Sequence, residues 1–176
     1  MPGASMLVGK MIRASVIGAA LALSATGSSS AAGDVSFDIS YIDQCEEIAP
    51  KTTSYQVNQH VVVTLHAGNR VTEQRDWRAP GSSSAIATEG AIGSEVSTLK
   101  FTVAWHVQSP SSLIRYRTFP HHVEVLHIAV SGQSCEVTIQ HRLKPGSTTY
   151  ERFDNHWSSH MYSSIVSTGI ACRVTQ

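Results

Sequence analysis

No surplus of charge of either sign marks this 176-residue chain, in which 13 lysines and arginines balance 13 aspartates and glutamates. Without a basic surplus it lacks the electrostatic footprint of a nucleic-acid binder or of a polybasic membrane reader. Catalytic signatures are missing too. There is no GxxxxGK[ST] loop to cradle a phosphate, no HExxH or CxxC pair for a metal or redox centre, and no GxSxG elbow to present a serine. No N-x-[ST] glycosylation acceptor occurs. The main apolar run near the start, "ASVIGAALAL", falls well short of the roughly 20 residues a spanning helix needs.

That run follows Lys10 and Arg13 and precedes the small residues "SATGSSSAAG". A basic start, a short apolar centre and small residues at the exit compose a secretory signal peptide. Residues 1–32 are therefore expected to be a leader cleaved near Ala32, with Met6 or Met11 as alternative starts. No cysteine lies in or just after the leader, so neither a lipoprotein anchor nor another stable membrane anchor is expected. The destination is the periplasm or the outside of the cell. Loss of Lys10 and Arg13 leaves 11 basic residues against 13 acidic, a formal charge of −2. The remaining 33–176 form one domain, long enough to bury roughly two thirds of its unfolded surface.

Three cysteines remain, Cys45, Cys135 and Cys172. In an oxidising compartment the default is one disulfide and one leftover thiol. Cys135 in "CEVTI" and Cys172 in "IACRV" both alternate with inward-looking residues, which favours that pair. Cys45 sits in the polar stretch "DQCEEIAP", either buried or available to join two chains.

Apolar residues recur with period two along most of the chain, the mark of half-buried strands. "DVSFDISYI" sets Val35, Phe37, Ile39 and Tyr41 on one side, and "YQVNQHVVVTLH" does the same with Tyr55, Val57, Val61, Val63 and Leu65. A weaker strand covers 70–77. "VSTLKFTVAWHV" aligns Leu99, Phe101, Val103, Trp105 and Val107, and further strands follow in "LIRYRTF", "HVEVLHIAV", "CEVTIQHRL", "TTYERF" and "SSIVSTGIACRV". Eight or nine short strands with frequent turn signals predict an all-β antiparallel sandwich, jelly-roll or Ig-like, with room for one short helix. Residues 78–95, small and flexible in composition, read as a long loop or a short helix. Residues 154–165 read as a helix or as irregular chain.

Nine histidines are the one departure from a plain β composition. A tight hairpin at Gly132–Gln133 pairs Val130 with Cys135, Leu126 with Ile139, Glu124 with His141 and His122 with Leu143. His122, Glu124 and His141 then share one face, about 5–7 Å apart. Two imidazoles and a carboxylate make a recognised ligand set for zinc, copper or another transition metal. The plainer account is an ordinary cross-strand His–Glu pair. His156 and His160 in "HWSSH" would share a helical face at i, i+4 and supply additional ligands, or simply flank Trp157. Arg115 and Arg117 alternate on one face of "LIRYRTF". They serve either as an anion or glycan-carboxylate clamp, with Trp157 as a sugar-stacking ring, or as a solvated strand face. Only Trp77 and Trp157 read as surface indoles.

The expected function is therefore a non-catalytic exported binding module for a protein partner, a surface glycan or a small ligand. Metal carriage or metal-dependent hydrolysis at His122, Glu124 and His141 is the alternative, and a structural subunit of a surface assembly is a third.

Overall fold

The computed structural model describes residues 33–48, 50, 53–79, 81–98, 100–109, 111–153 and 159–175. Eleven strands run in chain order: β1 (Val35–Glu47), β2 (Ser54–Leu65), β3 (Arg70–Ala79), β4 (Ser82–Ala91), β5 (Glu95–Ser97), β6 (Thr102–Ser109), β7 (Ser112–Thr118), β8 (His122–Ser131), β9 (Ser134–Leu143), β10 (Tyr150–Phe153) and β11 (Ser159–Thr175). They form a six-stranded sheet, β10-β11-β1-β2-β3-β4, and a five-stranded sheet, β5-β6-β7-β8-β9. All ladders between strands are antiparallel. The sandwich predicted by the alternation is the one observed. Its connectivity is two meanders, with β11 returning to pair with β1, and not the sheet-to-sheet alternation of Ig domains. Among the described residues no helix is long and apolar enough to cross a membrane.

Residues 78–95 depart from the expected loop or helix, because β4 fills most of them and pairs with β3 along its whole length. Ser, Ala and Gly gave no strand propensity, and tertiary pairing overrode it. The composition has a packing reason at Gly90. A β-carbon there would lie 2.7 Å from the Trp105 ring and 2.8 Å from Val96, so only glycine lets β4 close over that indole. "VSTLKFTVAWHV" is split into β5 and β6 by a turn in which the Thr98 amide donates to the Phe101 carbonyl at 2.9 Å. Phe101, Val103 and Trp105 point inward as expected, but Val107 is 48% exposed and Leu99 lies outside the described residues.

The β8–β9 hairpin has the even register read from its turn, with Val130 opposite Cys135 and Glu124 opposite His141. Cys135 and Cys172 form the disulfide, which ties β9 of one sheet to β11 of the other. Cys45 is fully buried, which removes it as a surface thiol for joining chains. The interior holds two apolar clusters. The larger joins Phe37, Ile39, Val61, Val103, Trp105 and Leu126 among others, and the smaller gathers Cys45, Val57, Trp77, Tyr162 and Ile165.

Candidate functional site

Between those two clusters the inward rows turn polar. Along β1 the order is Ile39, Tyr41, Asp43, Cys45; along β2 it is Val57, Gln59, Val61; along β3 it is Val71, Glu73, Arg75, Trp77. The facing sheet contributes Arg115 and Arg117 between Leu113 and Phe119, then His122 and Glu124 before Leu126. Strand alternation leaves these side chains no other side, so the belt is written into the parity of the strands. Three arginines and two glutamates thus lie buried together. Burying an ion costs several kcal/mol unless close partners compensate.

Glu124 is the hub. Its Oε1 accepts from Arg75 Nη2 at 2.7 Å and from Arg115 Nη2, and its Oε2 accepts from Arg75 Nη1 at 3.4 Å. Arg117 Nη1 stands 3.9 Å from the same carboxylate. Glu73 Oε1 accepts from Arg115 Nη1 at 2.6 Å, and Arg75 Nη2 also donates to the Tyr41 hydroxyl at 2.9 Å. Burial alone would oppose ionisation of Glu124, but Arg75, Arg115 and Arg117 overcome it and hold the carboxyl well below its usual range. Arg117 has the weakest ionic support. Burial and the neighbouring Arg75 depress it to about 9, and its guanidinium lies 4.2 Å from the Phe101 ring centroid. A second chain of polar contacts leads away from the hub. Gln59 Nε2 donates to Asp43 Oδ2 at 3.0 Å and Ser167 Oγ donates to Asp43 Oδ1 at 2.6 Å, while His141 Nε2 lies 3.1 Å from Ser167 Oγ.

This geometry bears on each residue singled out from the sequence. His122 and His141 approach, with ring centroids 6.1 Å apart, but Glu124 turns from them to the arginines. His122 is stacked on Phe119 at 4.4 Å and accepts the Glu151 amide at Nδ1 at 3.3 Å. Among the described residues no group of three or more His, Cys, Asp or Glu is placed to hold a metal ion. Arg115 and Arg117 are corrected from an outward strand face to the interior, where they are 0% and 5% exposed, because they share parity with Leu113 and Phe119. There they pair with Glu73 and Glu124. Trp77, read as a surface indole, is 3% exposed and belongs to the smaller cluster. His156 and Trp157 lie outside the described residues; His160 belongs to β11, opposite Arg152. Tyr41 is inward as its alternation predicts, while Asp43, Gln59, Glu73, Arg75 and Ser167 are not singled out by the sequence, although parity alone points Glu73 and Arg75 inward between Val71 and Trp77.

Burial depresses His122 to about 4 from 6.5, so the folded chain holds it neutral where the unfolded chain would protonate it. The unfolded state then binds more protons between those values, and stability falls as pH drops through that window. His122→Phe, which keeps a ring on Phe119, is expected to flatten the melting-temperature profile between pH 6.5 and 4. Parallel profiles for the two proteins would remove His122 as the cause.

The outer face of the six-stranded sheet offers an open groove of ≈ 810 Å³ across β2, β3 and β4, lined among others by Asn58, His60, Asp76, Arg78 and Ser83. Register puts Asn58 beside Arg78 and His60 beside Asp76. His60 Nε2 is 3.0 Å from Asp38 Oδ1 and its Nδ1 is 3.9 Å from Asp76 Oδ2, all three side chains being about half exposed. A carboxylate, an amide, a hydroxyl and a guanidinium therefore offer donors and acceptors side by side on paired strands. Comparison with protein-family models, curated proteins and solved structures finds no match for this chain.

Proposed function

We propose that the protein is an exported binding module that holds a hydroxyl-rich ligand, a short glycan segment, in the groove over β2, β3 and β4. The observation that carries this reading is the groove's lining. Asp76 and Asn58 accept from sugar hydroxyls, while Arg78, Asn58 and Ser83 donate. A glycan presents both roles at every ring, whereas an apolar ligand would leave this lining unpaired. Export is supported by the leader-like start of the chain and by the Cys135–Cys172 disulfide, a bond that persists in oxidising compartments.

The test is a soluble-oligosaccharide array probed with the purified chain. Binding to at least one oligosaccharide class is expected, with Asn58→Ala/Asp76→Ala weakening it about tenfold or more, since each lost hydrogen bond to a charged group is worth about 1.5–3 kcal/mol. These outward positions leave the melting temperature nearly unchanged. Absence of binding across the array, or equal binding by the double variant, would sink the proposal.

A further inference from the structure

Further along the same outer face stands an arrangement the binding reading does not use. β2 ends at Leu65, and His66 follows at the mouth of a tight turn in which Gly68 and Asn69 adopt φ of 76° and 66°. The His66 amide donates to the Arg70 carbonyl at 2.8 Å, so the turn fixes the histidine's backbone. Its ring is three-quarters or more buried, with a side-chain exposure of 16%. His66 Nδ1 lies 2.7 Å from Asp34 Oδ2, and Nε2 lies 2.9 Å from the Thr72 hydroxyl. A carboxylate only accepts, so Nδ1 carries the proton toward Asp34. Nε2 of the neutral ring is thereby left as an acceptor, and Thr72 Oγ1 donates to it. Carboxylate, imidazole and hydroxyl are connected in the order that activates a hydroxyl nucleophile.

Thr72 also opens onto space. It lines a hollow of ≈ 430 Å³ with Thr64, Gln74, Thr88 and Glu89. Thr64 is its direct partner across the ladder and Glu89 its partner on the other side. Thr64 Oγ1 is 2.8 Å from Ser36 Oγ. Either hydroxyl can donate in that contact, and Thr64 lines the hollow directly beside Thr72. The Gln74 amide stands two residues along the same face. The Thr64 hydroxyl and the Gln74 amide are the neutral groups of the hollow whose chemistry lets them donate to an oxyanion.

The geometry points to Asp34, His66 and Thr72 as an ester-cleaving relay, acting on carboxylic esters with a small acyl group. Thr72 Oγ1 attacks the ester carbonyl carbon while its proton passes to His66 Nε2, and the carbonyl π pair moves onto oxygen. Collapse of that oxyanion breaks the bond to the leaving alkoxide, which takes the proton back from Nε2. Water then adds to the acyl-threonine with His66 again accepting a proton, and release of the carboxylic acid restores the Thr72 hydroxyl. Asp34 accepts from Nδ1 and positions the ring.

The full chain with p-nitrophenyl acetate is the experiment. Expected are release of p-nitrophenolate above the buffer rate and an acetyl group on the peptide containing Thr72 after acid quench. Thr72→Val, nearly isosteric, lowers the rate about 100-fold, the scale set by loss of a positioned base and its nucleophile. Thr72→Ser restores it, and His66→Gln abolishes it with the fold intact by circular dichroism. Unchanged release in Thr72→Val, or acetyl found only on lysine or histidine, overturns the assignment. The ester probe contains no sugar and the array involves no turnover, so the two proposals stand or fall separately.

Discussion

Glu124→Gln is expected to cost about 3–5 kcal/mol of folding stability, the usual consequence of removing one partner from a buried ionic group. The glutamine keeps the volume, so a cavity is not the cause. What changes is charge: Arg75, Arg115 and Arg117 lose the carboxylate that three guanidiniums approach, and Glu73 alone remains among them. Domains of this kind are stable by only about 5–15 kcal/mol, so the loss takes a large share of the total. Urea unfolding at neutral pH measures it. Pairing the substitution with Arg115→Met should recover part of the loss, because the double variant removes one of the stranded cations together with the anion. A midpoint for Glu124→Gln within about 1 kcal/mol of wild type would contradict the hub geometry.

The same carboxylate sets the acid limit. Its folded pKa is held well below the ordinary 4.5, so its contribution is complete above that value and is lost as pH falls beneath it toward the folded value. His122 acts in an earlier window, between 6.5 and about 4. Acid unfolding should therefore proceed in two stages, a gradual decline removed by His122→Phe and a steeper one removed only with Glu124.

Much of this interior was legible in the sequence. Inward rows such as Phe37–Ile39–Tyr41 and Leu126–Ile128 follow from alternation, and a turn at Gly132–Gln133 sets the β8–β9 register because the side-chain period is two. The face shared by His122, Glu124 and His141 follows from that register, whereas the pairing of Glu124 with Arg75 and Arg115 does not. Parity says that a side chain points inward. It does not say which strand of the other sheet lies opposite, and it was β3, carrying Arg75, that claimed Glu124. Arg115 and Arg117 show the complementary error. Their charge suggested solvent, yet Leu113 and Phe119 on the same parity place them inside, where Glu73 and Glu124 make burial tolerable. β4 is not legible in the sequence because Ser82–Ala91 carries few β-branched or aromatic residues; its pairing with β3 and the close approach at Gly90 are properties of the assembled sheets.

Reducing the Cys135–Cys172 bond is expected to lower stability by about 4 kcal/mol, from the entropy regained by an unfolded loop with a sequence separation of 37. For a domain of this length that corresponds to a fall of roughly 8–15 °C in melting temperature. Position within the fold adds a reason to the chain-entropy argument. β10 pairs β11 only from Ser159 to Tyr162, so beyond that point β11 has β1 as its one ladder partner among the described residues. The disulfide fastens this half-free strand to β9, the last strand of the other sheet, and both sulfurs pack against the larger apolar cluster. Cys135→Ala/Cys172→Ala should reproduce the effect of reductant and abolish further sensitivity to it. Cys45 supplies the count that validates the comparison: denatured protein should show one thiol before reduction and three after. Equal melting temperatures for oxidised and fully reduced protein would mean that the β9–β11 seam holds without its covalent tie.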